Sequence, residues 1–248
     1  MENETDLIMQ RAQTLPPEQH RYGIHFLSRV TVMDYVRIAD EIARVLPRGR
    51  ILDWGCGFGQ VSFLLARRGL DVVSYDYAAK NETTTSPVFP EIKIQYGDDP
   101  VNLPYADASF DAVLSCGVLE HVPDEAGSLR EIARVLKPNG YFFIYNLPQQ
   151  DSYKEFLLEK FRLAYTHERK YTLTRARRAL AAANFKIIYT KRSGFFPHNL
   201  SVLPRVRPLY NAFARPVLAW DRKLSALPGF SLIAEAIEIT AVKKPNRE

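Results

Sequence analysis

Cysteine is almost absent: the 248 residues include only Cys56 and Cys116. Two thiols make neither a disulfide framework nor a four-ligand zinc site, so the expected setting is reducing and cytoplasmic. Long apolar runs are missing too, and nothing approaches the ~20 residues that span a bilayer. Met1 to Gln10 is acidic and polar, without the basic start and apolar centre of a signal peptide. There is no internal repeat and no low-complexity tract. With 46% hydrophobic and 25% charged residues, the composition is that of a globular chain whose core needs no staples. Acids are scarce in one region: residues 160–223 carry 15 basic side chains against Glu168 and Asp221. The net charge is +5. Such a region suits an anionic substrate, a membrane surface or nucleic acid, or is simply a solvated basic face.

Residues 1–20 read as a flexible leader ending at Pro16-Pro17. From Tyr22 to Leu46, apolar residues recur at three-to-four spacing, which predicts a helix stopped by Pro47 and Gly49. Strands and helices then alternate. Strands are expected at 50–54, 71–75, 92–96, 110–115 and 141–146, with helices at 60–68 and 126–136 between them. This alternation predicts a parallel sheet covered by helices on both faces. Beyond Pro148 it weakens into helices at 153–165 and 174–183 and strands at 185–191 and 234–243. Residues 194–231 carry five prolines among aromatics and arginines, and read as an insertion or cap between the last two strands. The expected main domain is therefore 21–193 with 232–248.

The chemistry is concentrated at strand ends. The first strand leads into Asp53-Trp54-Gly55-Cys56-Gly57-Phe58-Gly59. Glycines between a strand and a helix let a ligand touch the backbone, and ligands of open α/β sheets bind at the carboxyl ends of strands. A dinucleotide-binding turn reads Gly-x-Gly-x-x-Gly and holds a pyrophosphate. Here the glycines alternate, Gln60 stands where the third would fall, and an acid precedes them. A negative Asp53 repels phosphate and suits a cationic ligand. Asp76 ends the second strand, where an acid can accept from ribose hydroxyls. Asp98 and Asp99 follow the third strand, where a carboxylate can accept from an adenine amine.

These residues resemble the class I S-adenosylmethionine-dependent methyltransferases, in particular those acting on small molecules and lipids. The resemblance runs from Ile51 to Asn146. It also includes Leu103–Asp111, Leu119-Glu120-His121-Val122 and Arg134–Tyr141. It implies a Rossmann-like, seven-stranded, mostly parallel sheet with an antiparallel last strand, and S-adenosylmethionine as cofactor. The cofactor residues it implies are Asp53, Gly55, Cys56, Gly57, Asp76, Tyr77, Asp98, Asp99 and Cys116. A related subgroup, the quinone-biosynthesis O-methyltransferases, has a metal-binding glutamate three residues before the Glu-His pair. Gly117 stands there in this chain, so no metal is expected.

Methyl transfer demands alignment more than any particular catalytic group. His121 is read two ways, as a general base for an acceptor hydroxyl or as a structural histidine. The acceptor is expected to be a small molecule or a lipid-linked molecule, methylated on oxygen. It would meet Tyr22, His25, His121, Tyr145, Asn146 and residues 195–199. Aromatics among arginines over 195–231 suit peripheral contact with a membrane at its inner face, or a cap over the sheet. Nucleic acid is the weaker rival, as no Asn-Pro-Pro-Tyr-type motif is present. Protein methylation, or a binding module that keeps the fold without turnover, are the remaining alternatives.

Overall fold

Side chains alternate along a strand, and in β1 (Arg50–Trp54) this alternation supplies both faces of the molecule. Ile51 enters one apolar cluster with Ile8, Ile38, Ile42, Leu64 and Phe89. Leu52 enters another with Val113, Ile132, Phe142 and Leu180. The computed structural model describes residues 4–15, 24–78, 82–162, 167–198 and 205–245. Pro16-Pro17, Tyr22 and Asn199 lie outside them.

The remaining strands are β2 (Asp71–Tyr77), β3 (Glu82–Thr85), β4 (Lys93–Gly97), β5 (Phe110–Cys116), β6 (Leu136–Pro148), β7 (Phe185–Ser193) and β8 (Ala236–Lys243). They form one sheet in the order β3-β4-β2-β1-β5-β6-β8-β7. The run β4-β2-β1-β5-β6 is parallel. As expected, β8 is antiparallel to its neighbours β6 and β7. The sheet has eight strands rather than seven, because β3 adds an antiparallel edge to β4. Its Glu-Thr-Thr-Thr sequence is largely exposed and has no apolar alternation to announce it.

Helices α1 (Glu4–Ala12), α2 (Arg29–Val45) and α3 (Gln60–Ala66) contribute to the first cluster. Helices α4 (Glu125–Val135) and α6 (Leu173–Ala182) contribute to the second. Helix α5 (Tyr153–Phe161) lies between β6 and α6 in the chain. Residues 4–12 are thus not a loose leader. Ile8 and Ala12 are buried, and Glu4 pairs with Arg68 at 2.9 Å. Helix α2 starts at Ser28, whose side chain accepts from the Thr31 N–H, a cap that satisfies an otherwise orphan donor.

Between β7 and β8 the chain forms α7 (Arg207–Ala212), α8 (Ala214–Ala226) and a 3-10 turn over Phe230–Ile233. This segment is tied to α2 through His198. Its carbonyl accepts from the hydroxyls of Ser28 and Thr31. Its ring lies 3.8 Å from Asp34 and 4.0 Å from Asp221. Burial opposes charge on this ring, but the two carboxylates prevail and its pKa is pushed up to about 9.

A charged cluster joins α2 to the sheet edge. Arg37 donates to Asp34 at 2.7 Å, to Glu41 at 2.9 Å, and to both oxygens of Glu238 on β8 at 2.8 and 3.1 Å. Lys191 on β7 reaches Glu41 at 2.8 Å and Glu238 at 3.0 Å. Burial opposes ionisation of Asp34, yet Arg37 beside it holds its pKa below the ordinary value. Removing one partner of such a buried cluster strands the others, at a cost of about 3–5 kcal/mol. Arg37→Met is therefore expected to lower Tm by on the order of 10 °C. An unchanged melt would show that α2 is held by its apolar face alone.

Candidate active site at the glycine turn

After Trp54 the chain must pass from β1 into α3 within a short turn. Gly55, Gly57 and Gly59 take φ of +72°, +57° and +79°, a region costly for residues with a Cβ. Close packing adds a second constraint: a Cβ on Gly55 would stand 2.5 Å from Val118, and one on Gly59 2.9 Å from Ile92. Gly57 instead faces open space, with Gln60 Oε1 the nearest group at 4.0 Å. The carbonyl of Tyr75 accepts from the N–H groups of Gly55 and Cys56 at 2.8 and 3.0 Å. Asp76 then accepts from Gly57 N–H and Tyr77 N–H, both at 2.7 Å.

Asp53 lies beneath the turn, only 2% exposed. It accepts from Ser62 Oγ at 2.6 Å, and Ser62 Oγ accepts from Ser74 Oγ at 2.7 Å. Burial raises the Asp53 pKa to about 6, helped by the charge of Asp76 and opposed by Ser62. Burial also raises Asp76, against its two backbone hydrogen bonds. Two carboxyls made reluctant to ionise favour a cation between or beside them.

A cavity of about 50 Å³ runs along Gly55, Asp76, Tyr77 and Asp99. The Tyr75 ring also lines it, and its buried hydroxyl has no hydrogen-bond partner among the described residues. Gly97 makes room for that ring, since a Cβ there would stand 2.0 Å from Tyr75 Oη. Reading β2 as a strand assigns Tyr75 to packing, and the strand pattern gives no sign of its orphaned hydroxyl at the cavity. Asp99 borders the cavity, but its carboxylate accepts from Val101 N–H, Asn102 N–H and Asn102 Nδ2, each at 2.8 Å. It holds its own turn. Asp98 is exposed at the end of β4.

Cys56 and Cys116 sit beside this region as free thiols, and burial pushes both well above the ordinary thiol range. That excludes nucleophilic thiolates near neutrality. Asn146 Nδ2 donates to Cys116 Sγ at 3.4 Å. Tyr145 donates to Glu41 at 3.3 Å and so belongs to the α2 charge cluster. The His25 pKa is lowered by burial and then by Lys154.

At the end of β5, Gly117 takes φ of +70°, and Glu120 Oε1 lies 3.7 Å from where its Cβ would be. Glu120 is 7% exposed, and its Oε2 has no partner among the described residues. Burial raises its pKa to about 7. His121 Nε2 lies 3.7 Å from Glu120 Oε1. Burial, then His167 and Arg169, lower the pKa of this half-exposed ring. One ligand atom from each of Glu120, His121 and His167 falls within 4.8 Å of the others, a grouping able to hold a metal ion. Glu155, bonded to His167 Nδ1 at 3.0 Å, raises the His167 pKa.

With this geometry in view, three comparisons are informative. The sequence pattern of the family described as "Methyltransferase domain" matches residues 52–144. The ubiquinone biosynthesis O-methyltransferase of Xanthomonas campestris pv. campestris is 37% identical over 130 residues, 50% of this chain and 52% of that protein. The 27-O-demethylrifamycin SV methyltransferase of Amycolatopsis mediterranei is 33% identical over 114 residues, 42% of each protein. The chain thus spans about half the length of the curated relatives it matches. Among solved structures, a methyltransferase from Thermotoga maritima superposes with a TM-score of 0.55 at 18% identity, covering 98% of this chain and all of that one. Residues 52–144 thus carry the sequence pattern of a methyltransferase domain, on a fold shared with solved methyltransferases.

Asp76→Ala is expected to weaken S-adenosylmethionine binding at least tenfold, about 1.4 kcal/mol, and Asp99→Ala to weaken it less. Affinity should also fall as pH drops through about 6, where Asp53 takes up its proton. Calorimetric titration checks both. A larger loss with Asp99→Ala than with Asp76→Ala would place Asp99, not Asp76, against the ligand.

Proposed function

We propose that this chain is a member of the S-adenosylmethionine-dependent class I methyltransferases and transfers the methyl group of S-adenosylmethionine to an oxygen of a small-molecule acceptor. The observation that carries this reading is the Asp76 clasp over an open Gly57, with Asp53 buried behind it and no phosphate-binding glycine at position 60. An acidic nucleoside pocket suits a sulfonium donor. The relatives named as O-methyltransferases support oxygen as the receiving atom. Gly55, Cys56, Gly57, Asp76 and Tyr77 would hold the donor, with Tyr75 added to that set and Asp98 at its rim. Cys116 would lie beneath the methyl group.

In the reaction, an acceptor oxygen lone pair forms the new C–O bond as the C–S bond breaks and leaves S-adenosylhomocysteine. The oxygen's proton passes to His121. Its lowered pKa keeps this ring neutral at pH 7, ready to accept, and ionised Glu120 at 3.7 Å stabilises the imidazolium that forms. The same groups suit proton transfer better than a divalent cation. Glu120 is the only carboxylate of the three, Glu155 favours a charged His167, and the Arg169 guanidinium lies close by.

Labelled S-adenosylmethionine incubated with the protein and fractionated extract is expected to label the small-molecule fraction. The rate should rise through pH of about 7 as Glu120 ionises. Glu120→Gln should flatten that limb, and EDTA should leave the rate unchanged. Label confined to protein or nucleic acid would overturn the acceptor class; binding without any transfer would overturn catalysis.

The segment over 194–231 would act as a cap whose outer face rests on an anionic membrane. No helix among the described residues is long and apolar enough to cross one. Leu209, Phe213 and Trp220 are 62%, 56% and 58% exposed. Arg205, Arg207 and Lys223 stand among them, with Lys223 Nζ 5.1 Å from the Trp220 ring centroid. Apolar side chains flanked by cations match an anionic interface. Sedimentation with phosphatidylglycerol vesicles should pull the protein down, and Phe213→Glu with Trp220→Glu should release it. No sedimentation, with a dimer in the ultracentrifuge, would assign this face to a second copy instead.

A further inference from the structure

A cavity of about 780 Å³ opens between α2, the end of β7 and α8. Three strands separate β7 from the β1 turn, so at ~4.8 Å per strand step the two sites stand roughly 19 Å apart along the sheet. Apolar side chains of Met33, Leu218 and Ile237 line its walls. Most of its charged residues are already engaged. Asp34 and Arg37 pair with each other, Lys191 with Glu41 and Glu238, and Arg192 with Gln149. Asp221 accepts from the backbone N–H groups of Gly194 and Phe196.

Two lining cations are different. Arg215 and Arg222 have no carboxylate or hydrogen-bond partner among the described residues. They lie seven residues apart on α8, two turns along one flank and about 10.5 Å in rise. Ala214, Asp221 and Ser225 are the buried residues of that helix. Ser225 is 3% exposed, lines the cavity, and its hydroxyl has no partner among the described residues. Buried hydroxyls are ordinarily hydrogen-bonded, so an orphan at a cavity wall marks a place for a ligand atom.

We propose that this cavity binds an amphipathic anion. Its apolar body would lie on Met33, Leu218 and Ile237, and its phosphate, carboxylate or sulfate would meet Arg215 and Arg222, with Ser225 donating within. Binding itself stands on this lining alone; the further role, holding the non-reacting end of the methyl acceptor, rests on the methyl-transfer reading. A ligand spanning the gap would bring its reactive oxygen to the end of β5 while its charged end stays under α8. Specificity would then come from the cap, and the chemistry from the glycine turn and the Glu120–His121 pair.

The test is calorimetry on the full chain with octyl phosphate below its micellar concentration, octan-1-ol as the uncharged control, and S-adenosylmethionine titrated separately. Saturable octyl phosphate binding is expected, at least tenfold tighter than octanol. Arg215→Glu with Arg222→Glu should weaken it at least tenfold. So should Ala226→Trp, which fills the mouth from an exposed helix position without changing charge. Phosphatidate vesicles distinguish the source. Binding to vesicles that Ala226→Trp abolishes, without binding of octyl phosphate, assigns a lipid headgroup; binding of octyl phosphate itself assigns a free amphiphile. Failure of both probes, or wild-type affinity in both variants, overturns the site. Loss of octyl phosphate binding with S-adenosylmethionine binding intact removes the cavity and leaves the donor reading; the converse removes the donor reading and leaves the cavity.

Discussion

The carbonyl of Tyr75 accepts two hydrogen bonds, from Gly55 and Cys56, and the geometry of the donor side follows from them. The pair fastens the turn after β1 to the end of β2 and brings Gly57 N–H over the next residue, Asp76. It also requires left-handed backbone at Gly55, where Val118 leaves no room for a side chain. Asp53 is sealed beneath the turn, where Ser62 is its only side-chain donor among the described residues. The cost of burying that carboxyl is thus built into the same few residues that open a surface at Gly57. An acidic, backbone-lined recess is the outcome, and the cationic nucleoside proposed for it would meet the charges it contains.

Much of this donor side was legible in the sequence because it is local. Glycine spacing, an acid before the turn and acids at successive strand ends are all read over short stretches, and the strand alternation behind them is equally local. What escaped depends on distant partners. Tyr75 looks like any strand aromatic until its ring is found against Gly97 with its hydroxyl unpartnered. Glu120 looks like the neighbour of His121 until burial raises its pKa. Asp99 is expected from the resemblance to be a cofactor residue, and nothing in its local sequence shows that its carboxylate also accepts from the backbone of its own loop. Helix α1 was misread because a nine-residue helix with weak periodicity has little stability alone; its order comes from docking Ile8 into the core.

The region between α2, β7 and β8 was hardest to read, for a related reason. Its central charges come from α2, β7 and β8, and Arg37 meets Glu238 across 201 positions of sequence. No local pattern announces such a meeting. Once made, it sets the position of α2, which in turn receives the His198 carbonyl. The candidate site and the α2–β8 region therefore rest on different supports: one on a hydrogen-bonded turn, the other on an ion-pair cluster.

The ends of the β7–β8 connection carry a consequence of their own. Glu235 N–H donates to the Gly194 carbonyl at 2.9 Å, and Ser193 pairs with Ala236 in the sheet. The whole intervening segment therefore leaves and returns through a single hydrogen-bonded doorway. Its length can change with little effect on the strands, because closing a longer loop between fixed ends adds only slowly to the entropic cost. In evolutionary terms this makes the segment a cassette. Lineages sharing the glycine turn could exchange it while the sheet and the turn stayed untouched.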